Sequence, residues 1–168
     1  DRQVATAGRL DLHPDLVNVV AGLATMTVDL RNTDEKLLRD AEAELARFVA
    51  ETATAEGVTV AERTLARFEP VVFDDRVVET VAGVATELGH SVRQMPSGAG
   101  HDAQMLARVC PTGMVFVPSR DGISHNPAEY TAPADLVAGA DVLLHTLLAL
   151  DAADFDNETK RIVEGRNQ

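Results

Sequence analysis

Alternation between hydrophobic and polar positions dominates the start of the chain. The runs "VATAGRLDLHP" (residues 4–14) and "VNVVAGLATMTVDLR" (residues 17–31) are rich in β-branched residues and alternate in part. Such runs predict two strands, and the "HPD" between them is a natural turn. In the second run, alternation places Asp29 and Arg31 on one side of the strand and Leu30 on the other.

The hydrophobic period then changes to that of a helix. Over residues 32–57 apolar side chains recur at helical spacing, Asn32 with Glu35 suits a capping box, and Gly57 suits a helix stop. The run "VTVAERTLARF" (residues 58–68) returns to alternation and predicts a third strand. This order, β-β-α-β, predicts an α+β segment whose helix covers one face of an antiparallel sheet.

The second half of the chain has a different pattern. Residues 74–88 predict an amphipathic helix that ends at Gly89, followed by a short helix to about Arg108. The run "GMVFVP" (residues 113–118) has no polar residue, which predicts a strand buried on both faces, as in a parallel sheet. A loop then leads to a last helix. That helix is built on apolar positions at helical spacing: Leu136, Ala140, Leu143, Leu144 and Leu147.

These patterns divide the chain into two segments of different structural class. Residues 1–71 are α+β and residues 72–168 are α/β in style, with a hinge expected from Pro70 to Asp75. A chain of 168 residues is long enough for one ordinary domain or for two incomplete ones. The first residue is Asp1 and not Met, which is consistent with a processed or truncated chain.

The composition of the chain argues against some classes of binding partner. Fifteen basic and 27 acidic residues give a net charge of −12, which opposes binding to nucleic acid or to an anionic membrane. The single cysteine, Cys110, excludes an internal disulfide and suits a reducing, cytoplasmic location, with a buried inert thiol expected. No run approaches 18 apolar residues, so no membrane partner is expected.

A Gly-rich segment directly before a predicted helix has features of a ligand-binding site. In "SGAGHDA" the small residues Gly98, Ala99 and Gly100 precede His101. Glycine allows another group to approach the main chain, and a helix start offers N–H groups to an anion. The stretch therefore predicts a site for something small and negatively charged.

Two histidines lie next to the predicted buried strand. Ligands of open α/β sheets collect in such loops, and this position singles out His101 and His125. Glu129 lies four residues after His125, and an imidazole oriented by a carboxylate is a common ligand of a divalent metal. A loop histidine without a special role is the more common outcome, so the residues alone leave both interpretations open.

Polar residues of the second predicted strand also have two interpretations. The Arg31 guanidinium can bind a carboxylate through two hydrogen bonds, or it can pair with Asp29 on a solvated sheet face. Asn18 opens the same predicted strand and suits a turn by default. No acidic pair, H-E-x-x-H or G-x-S-x-G motif is present, and the chain alone has too few ligands for a metal site.

Three stretches, in this order, resemble a single family. They are "VNVVAGLATMTVDLRNTD", "PSGAGHDAQMLARVCPTGMVFVPS" and "GISHNPAEYT". To about Ala152 the chain resembles the C-terminal half of the metal-dependent amidohydrolases that include N-carbamoyl-L-amino-acid hydrolase, β-ureidopropionase and allantoate amidohydrolase. That family shares its fold with carboxypeptidase-G-type and aminoacylase metallopeptidases. The combination of "SGAGHDA" with "SHNPAEY" is the most specific part of the resemblance.

The resemblance implies part of a two-domain, metallopeptidase-like enzyme. Residues 1–71 would be the end of an α+β lid domain through which the protein forms a homodimer. Residues 72–168 would be the closing segment of an α/β catalytic domain that holds two divalent ions (Zn, Mn, Co or Ni). The family often has proline after "NVV" and histidine after the strand arginine, where this chain has Ala21 and Asn32.

The resemblance also implies roles for single residues. His125 would be a metal ligand, and Arg31 and Asn18 would hold the substrate carboxylate. The Gly98–Gly100 loop would offer backbone groups to that carboxylate or to the reacting group, and His101 would shape the loop or contact substrate. The remaining ligands and the general acid/base Glu are expected upstream, so no catalytic residue is assigned in this chain.

The implied reaction is metal-dependent hydrolysis of a linear amide or ureido C–N bond. The substrate would be a small acid: an N-carbamoyl amino acid, an allantoate-like ureido acid or an N-acyl amino acid. The alternatives are an N-acyl amino acid amidohydrolase or a peptidase-like member of the same fold. A further alternative from another class is a non-catalytic dimerisation or binding module that lacks the metal half.

Overall fold

Two compact units make up the chain, Asp1–Pro70 and Val71–Gln168. The structure is a computed structural model that describes residues 3–152. Of the predicted segment 72–168, residues 153–168 lie outside the described part.

The first unit begins with a β-hairpin. Strands β1 (Val4–His13) and β2 (Leu23–Arg31) pair antiparallel, as alternation predicted. The register places Val4 opposite Arg31, with one irregularity where β1 passes from Ala7 to Arg9. Asp29 and Arg31 of β2 therefore lie near the open end of the hairpin, away from the connection between the two strands.

The second strand is shorter than predicted. Residues 14–22 form the connection between the strands, and the Gly22 N–H donates to the His13 carbonyl at 2.9 Å to close it. Pro14 lacks an N–H and cannot extend the ladder beyond His13. The prediction that the strand begins at Val17 is therefore wrong, and Val17 lies in a turn.

Helix α1 (Glu35–Glu56) follows the hairpin. Its N-cap is Asp34, whose side chain accepts from the Leu37 N–H at 2.9 Å. The predicted capping box on Asn32 is wrong, because Asn32 Oδ1 instead accepts the Asp34 N–H at 3.0 Å and so folds the turn before the helix. Gly57 ends the helix in a left-handed conformation, φ 66°, as predicted.

Helix α1 contacts β2 through one face, on which Leu38 is buried. The run 58–68, predicted as a strand, forms none in the described part of the chain. A strand needs a ladder partner, and this run lies instead beside α1, where Arg67 Nη2 binds Glu35 at 2.7 Å and Arg67 Nε binds Glu42 at 3.0 Å. The observed order of the first unit is therefore β-β-α.

The second unit contains the helices α2 (Asp75–Glu87), α3 (Asp102–Leu106) and α4 (Pro133–Ala152). All three were predicted, α2 and α4 from helical periodicity and α3 as a short helix after the Gly-rich entry. Asp74 caps α2 by accepting the Val77 N–H at 3.1 Å.

The core of the second unit lies between α2 and α4. Val84 and Ala85 of α2 and Val142 of α4 are buried together, and Val115 packs against them. The run 113–118 thus lies against helices, and within residues 3–152 it forms no strand. The predicted parallel sheet is wrong for this part of the chain, because a sheet needs a neighbouring strand and the described neighbours of the run are helical.

Two glycines permit this close packing. A Cβ on Gly113 would lie 2.7 Å from Cγ1 of Val77 on α2, which is too close for two carbons. A Cβ on Gly139 of α4 would likewise collide with Cγ1 of Val117. The run is therefore held against α2 near its start and against α4 near its end.

Helix α4 turns Val142 and Thr146 inward. The helix forms where the apolar positions predicted it, and two of those positions, Leu143 and Leu147, are 50% and 57% exposed in the described structure. With a mean hydropathy of 1.4 over an 18-residue window, α4 is long and apolar enough to cross a membrane by length and composition alone. A core helix of a soluble protein meets the same criteria, and the expected lack of a membrane partner stays a prediction.

Candidate functional site

The open end of β2 carries a charged pair. Arg31 donates from Nε to Asp29 Oδ1 at 2.9 Å and from Nη2 to Asp29 Oδ2 at 2.7 Å. Both side chains are about half exposed, at 50% for Arg31 and 49% for Asp29. The hydrogen bonds from Arg31 hold the pKa of Asp29 below its usual value, and Asp29 raises the pKa of Arg31. Of the two alternatives for Arg31, the structure contains the Asp29 pair.

Asn18 does not open β2, contrary to the sequence interpretation. It lies in an exposed turn of the 14–22 connection, before the first strand residue, Leu23. The hairpin places this connection at the end opposite Arg31, since His13 pairs with Leu23 while Val4 pairs with Arg31. Within the first unit, Asn18 and Arg31 are therefore at opposite ends of the hairpin.

The Gly-rich entry leads into α3 as expected. His101 is the N-cap residue of α3 but makes no side-chain cap hydrogen bond. Ser97 Oγ lies 3.3 Å from both the N–H and the carbonyl of Ala99. Gly98 and Gly100 do not have positive φ, and a Cβ on either would meet nothing within 4 Å. The described structure thus gives no internal reason for glycine at these two positions.

His101 contacts the run that follows α3. The imidazole and the Phe116 ring form a T-shaped pair, with centroids 6.2 Å apart and an interplanar angle of 67°. Such T-shaped contacts favour particular relative orientations of the two rings. This contact fixes the Gly-rich entry beside the 113–118 run.

The loop that carries His125 is closed by its own ends. The Arg120 N–H donates to the Tyr130 carbonyl at 2.8 Å, and the Arg120 guanidinium lies 4.2 Å from the centroid of the Tyr130 ring. A backbone hydrogen bond and a cation–π contact therefore join the same two residues. We call residues 120–130 the closed loop.

His125 lies in an exposed part of the closed loop with a left-handed backbone, φ 56°. Its N–H donates to Glu129 Oε2 at 2.8 Å. The sequence interpretation placed a carboxylate near His125 to orient the imidazole, whereas Glu129 binds the backbone. No hydrogen bond to the His125 imidazole occurs within residues 3–152.

Within the described part of the chain, these residues include one exposed imidazole suited to a metal and no complete metal site. Within residues 3–152, no group of three or more His, Cys, Asp and Glu side chains could hold a metal ion. A single accessible imidazole fits the donor chemistry of Zn²⁺ and similar cations, which need three or four such groups. By its donor chemistry His125 fits one ligand position of such a site, and residues 3–152 do not supply the others.

Several structural residues were not predicted. Arg120 and Tyr130 close the loop, and their signal in the sequence was only a cation and an aromatic flanking "DGISHNPAE". Gly139 is a glycine inside a predicted helix, which usually has a packing reason. Cys110 is half-buried and not buried as predicted, with Sγ 3.5 Å from the Leu106 carbonyl.

Comparison with known proteins identifies a family. The model of peptidase family M20/M25/M40 matches residues 8–149. N-carbamoyl-L-amino-acid amidohydrolase of Rhizobium meliloti is 38% identical over 161 residues, which cover 96% of this chain and 36% of that protein. Allantoate amidohydrolase of Escherichia coli strain K12 is 38% identical over 150 residues, covering 89% of this chain and 36% of that protein.

A solved structure extends the likeness to three dimensions. An amidase of the hydantoinase/carbamoylase family from Burkholderia vietnamiensis is 44% identical, with a TM-score of 0.84 over 88% of this chain and 36% of that one. The resemblance seen in the residues is confirmed. The chain spans about a third of the length of these relatives, so it has the fold of part of such an amidohydrolase.

Proposed function

The chain belongs to peptidase family M20/M25/M40, and on that premise we propose that the whole protein hydrolyses a linear C–N bond of an N-carbamoyl amino acid or a related ureido acid. One observation carries the proposal: two relatives named for this chemistry, with N-carbamoyl amino acids and allantoate in their names, each cover nearly all of the chain at 38% identity. Both named substrates are small acids with a ureido group.

His125 is the metal ligand that this chain contributes. Its imidazole is exposed, makes no hydrogen bond within residues 3–152, and is presented by a loop whose ends are joined. Bound divalent cations lower the pKa of water and polarise a carbonyl oxygen. The other ligands and the general acid/base Glu belong to the part of the protein outside this chain, and two Zn, Mn, Co or Ni ions are expected.

Arg31 binds the substrate carboxylate. The guanidinium is half exposed at the end of β2, and its orientation is set by two hydrogen bonds to Asp29. A planar guanidinium of fixed orientation favours one pose of a carboxylate, which is the common feature of the proposed substrates. The resemblance implies Asn18 as a further carboxylate ligand, but the hairpin places Asn18 at the end opposite Arg31, so the two side chains of one hairpin do not bind the same carboxylate and the proposal rests on Arg31 alone.

The Gly98–Gly100 loop and His101 bind the other polar groups of the substrate. Gly98 and Gly100 have open space where a Cβ would stand, so a ligand can approach their backbone directly. His101 lies beside this loop, where its ring contacts Phe116. These groups orient the ureido carbonyl.

The two units have separate roles in this proposal. The unit Asp1–Pro70 belongs to the α+β lid domain, through which the whole protein forms a homodimer. The unit Val71–Gln168 belongs to the α/β catalytic domain. The division into two units and their different described elements, a hairpin with one helix in the first and three α-helices in the second, support separate roles. The assignment to an α+β and an α/β domain rests on the resemblance.

The test is an assay of the full-length protein. The protein is freed of metal with a chelator, reloaded with Zn²⁺, Mn²⁺, Co²⁺ or Ni²⁺, and given an N-carbamoyl-L-amino acid, allantoate or an N-acetyl amino acid. Water cleaves the ureido group of an N-carbamoyl amino acid to the amine, carbon dioxide and ammonia, whereas an N-acetyl substrate yields acetate and no ammonia. Metal-dependent ammonia release supports the proposal.

Other outcomes contradict it. Release of acetate alone would make the protein an N-acyl amino acid amidohydrolase. No hydrolysis with any of the four metals, together with a stable dimer, would identify a non-catalytic dimerisation or binding module.

A further inference from the structure

His125 has a backbone conformation that a side chain disfavours. Its φ of 56° lies in the left-handed region, where residues other than glycine are uncommon because Cβ crowds the following carbonyl. Histidine is among the residues that tolerate the region best, yet the conformation persists only where neighbouring groups hold it. The structure around His125 must therefore supply that constraint.

Glu129 supplies it through a single contact. Its Oε2 accepts the His125 N–H at 2.8 Å, and this hydrogen bond ties the backbone at residue 125 to the end of the turn. The contact is made by the backbone of His125 and not by its ring. Glu129 thus fixes the direction in which Cβ points while both imidazole nitrogens remain available to a ligand.

The position of Glu129 is itself fixed by the turn that precedes it. The Glu129 N–H donates to the Asn126 carbonyl at 2.9 Å, and Asn126 Oδ1 accepts the Ala128 N–H at 2.9 Å. This turn brings residue 129 back towards residue 125. Beyond it, Tyr130 is joined to Arg120, so the segment that carries Glu129 is held at both sides.

We propose that Glu129 is a positioning residue: it holds the His125 backbone in its left-handed conformation and so presets the imidazole for metal binding. The inference rests on the proposed role of His125 as a metal ligand. Glu129 acts through the main-chain N–H and not as a ligand, so its negative charge matters less than its acceptor oxygen. Glutamine, which keeps an acceptor oxygen at the same reach, should replace it.

The experiment measures Zn²⁺ affinity of the full-length protein by competition with a chromogenic chelator. Variants are Glu129→Ala, Glu129→Gln and His125→Ala, with Glu44→Ala on the exposed face of α1 as a control that removes the same charge elsewhere. Because loss of a residue that orients a metal ligand typically weakens binding by about tenfold to a hundredfold, Glu129→Ala should lose at least about tenfold. Glu129→Gln should bind close to wild type, and Glu44→Ala should match wild type.

A second readout reports on the backbone itself. Amide hydrogen exchange of a peptide that includes His125 should accelerate in Glu129→Ala and stay near wild type in Glu129→Gln, because only the first removes the acceptor of the His125 N–H. Far-UV circular dichroism of each variant checks that it is folded. If Glu129→Ala is unstable, the comparison of Glu129→Gln with wild type still tests the proposal.

The outcomes separate this inference from the proposed function. If His125→Ala loses Zn²⁺ but Glu129→Ala does not, Glu129 does not position the ligand. If Glu129→Gln is as weak as Glu129→Ala, the charge of Glu129 acts on the metal and the backbone role is wrong. If His125→Ala binds Zn²⁺ as wild type does, His125 is not a ligand and both proposals fail.

Discussion

Arg31 and Asp29 are joined by two hydrogen bonds on one face of β2, Nε to Oδ1 at 2.9 Å and Nη2 to Oδ2 at 2.7 Å. The strand period places residues i and i+2 on the same face, which makes the pair possible without any long-range contact. The guanidinium plane is thus oriented before any ligand arrives. Its positive charge is also partly compensated by Asp29, so a substrate carboxylate must compete with that carboxylate or share the guanidinium with it.

We predict that Arg31 contributes to catalysis by binding the substrate carboxylate. Arg31→Ala in the full-length protein should lower kcat/KM by about thirtyfold to a thousandfold, on the order of 2–4 kcal/mol, because a charge-assisted bidentate contact is lost. Arg31→Lys should lose nearly as much, since lysine lacks the planar fork. Metal content, measured by atomic emission, should not change.

The substrate provides the control for this prediction. With the carboxylate replaced by a neutral amide, wild type and Arg31→Ala should become nearly equal in kcat/KM. An equally large loss on the amide substrate would show that Arg31 supports the hairpin and does not bind the carboxylate.

The same pair predicts a pH dependence. Because Arg31 lowers the pKa of Asp29 below its ordinary 3.8, the pair contributes stability above that pH and loses it as pH falls through the folded-state pKa. The side chains are half exposed, so the contribution should be small, about 0.2–1 kcal/mol. A carboxyl-carbon NMR titration should give Asp29 a pKa below 3.8 in wild type and close to it in Arg31→Ala. Identical titration curves would contradict the prediction.

His125→Ala should abolish hydrolysis almost completely and reduce the metal content of the full-length protein. The reason is that a metal ligand is lost while its loop is closed independently by Arg120 and Tyr130. The circular dichroism spectrum and melting profile should stay close to wild type apart from any shift due to lost metal. Full metal occupancy with retained activity would rule out the ligand role.

Two glycines in helices should respond oppositely to alanine. Gly139→Ala adds a Cβ that collides with Val117, and such overpacking should destabilise the protein by about 1–3 kcal/mol. Gly83→Ala in α2 is the matched control, because nothing lies within 4 Å of its Cβ. Helix propensity should make that change neutral or stabilising by up to about 1 kcal/mol. Thermal unfolding of both variants would measure the difference, and equal melting temperatures would refute the packing role of Gly139.

Expressed alone, residues 1–168 should aggregate or remain partly unfolded and should be inactive. The apolar face of α4 includes Leu143, Leu144 and Leu147, each at least half exposed, and an apolar surface of this kind promotes association. Size-exclusion chromatography and differential scanning calorimetry would test this expectation. A monodisperse, cooperatively melting and active product would contradict it.

Local signals predicted the parts of the fold that depend on local interactions. Alternation gave the hairpin of β1 and β2, and helical periodicity gave α1, α2 and α4. Gly57 was predicted as a stop because a left-handed residue commonly follows a helix, and its φ is 66°. The Asp29–Arg31 pair was one of two alternatives for the same reason, since both residues share one strand face.

Predictions failed where the outcome depended on what lies beside a segment. The runs 58–68 and 113–118 have the pattern of strands, but a pattern cannot supply a ladder partner, and the described neighbours are helical. Likewise Asn32 and Asp34 are both good caps, and which of them caps α1 depended on Asn32 Oδ1 binding the Asp34 N–H. For α4, apolar residues surround the helix, so periodicity alone did not indicate that Val142 and Thr146 face inward.

The closed loop has a consequence for the conformational entropy of ligand binding. The hydrogen bond from the Arg120 N–H to the Tyr130 carbonyl holds the loop ends together in the folded protein. The entropy of loop closure is therefore lost during folding and is not lost again when a ligand binds. A flexible loop would have to lose that freedom at the moment of binding, which would weaken affinity. The other residues between Arg120 and Tyr130 can therefore vary with little loss of ligand affinity. The residues that must be kept are Arg120, Tyr130, His125 and the acceptor of the His125 N–H.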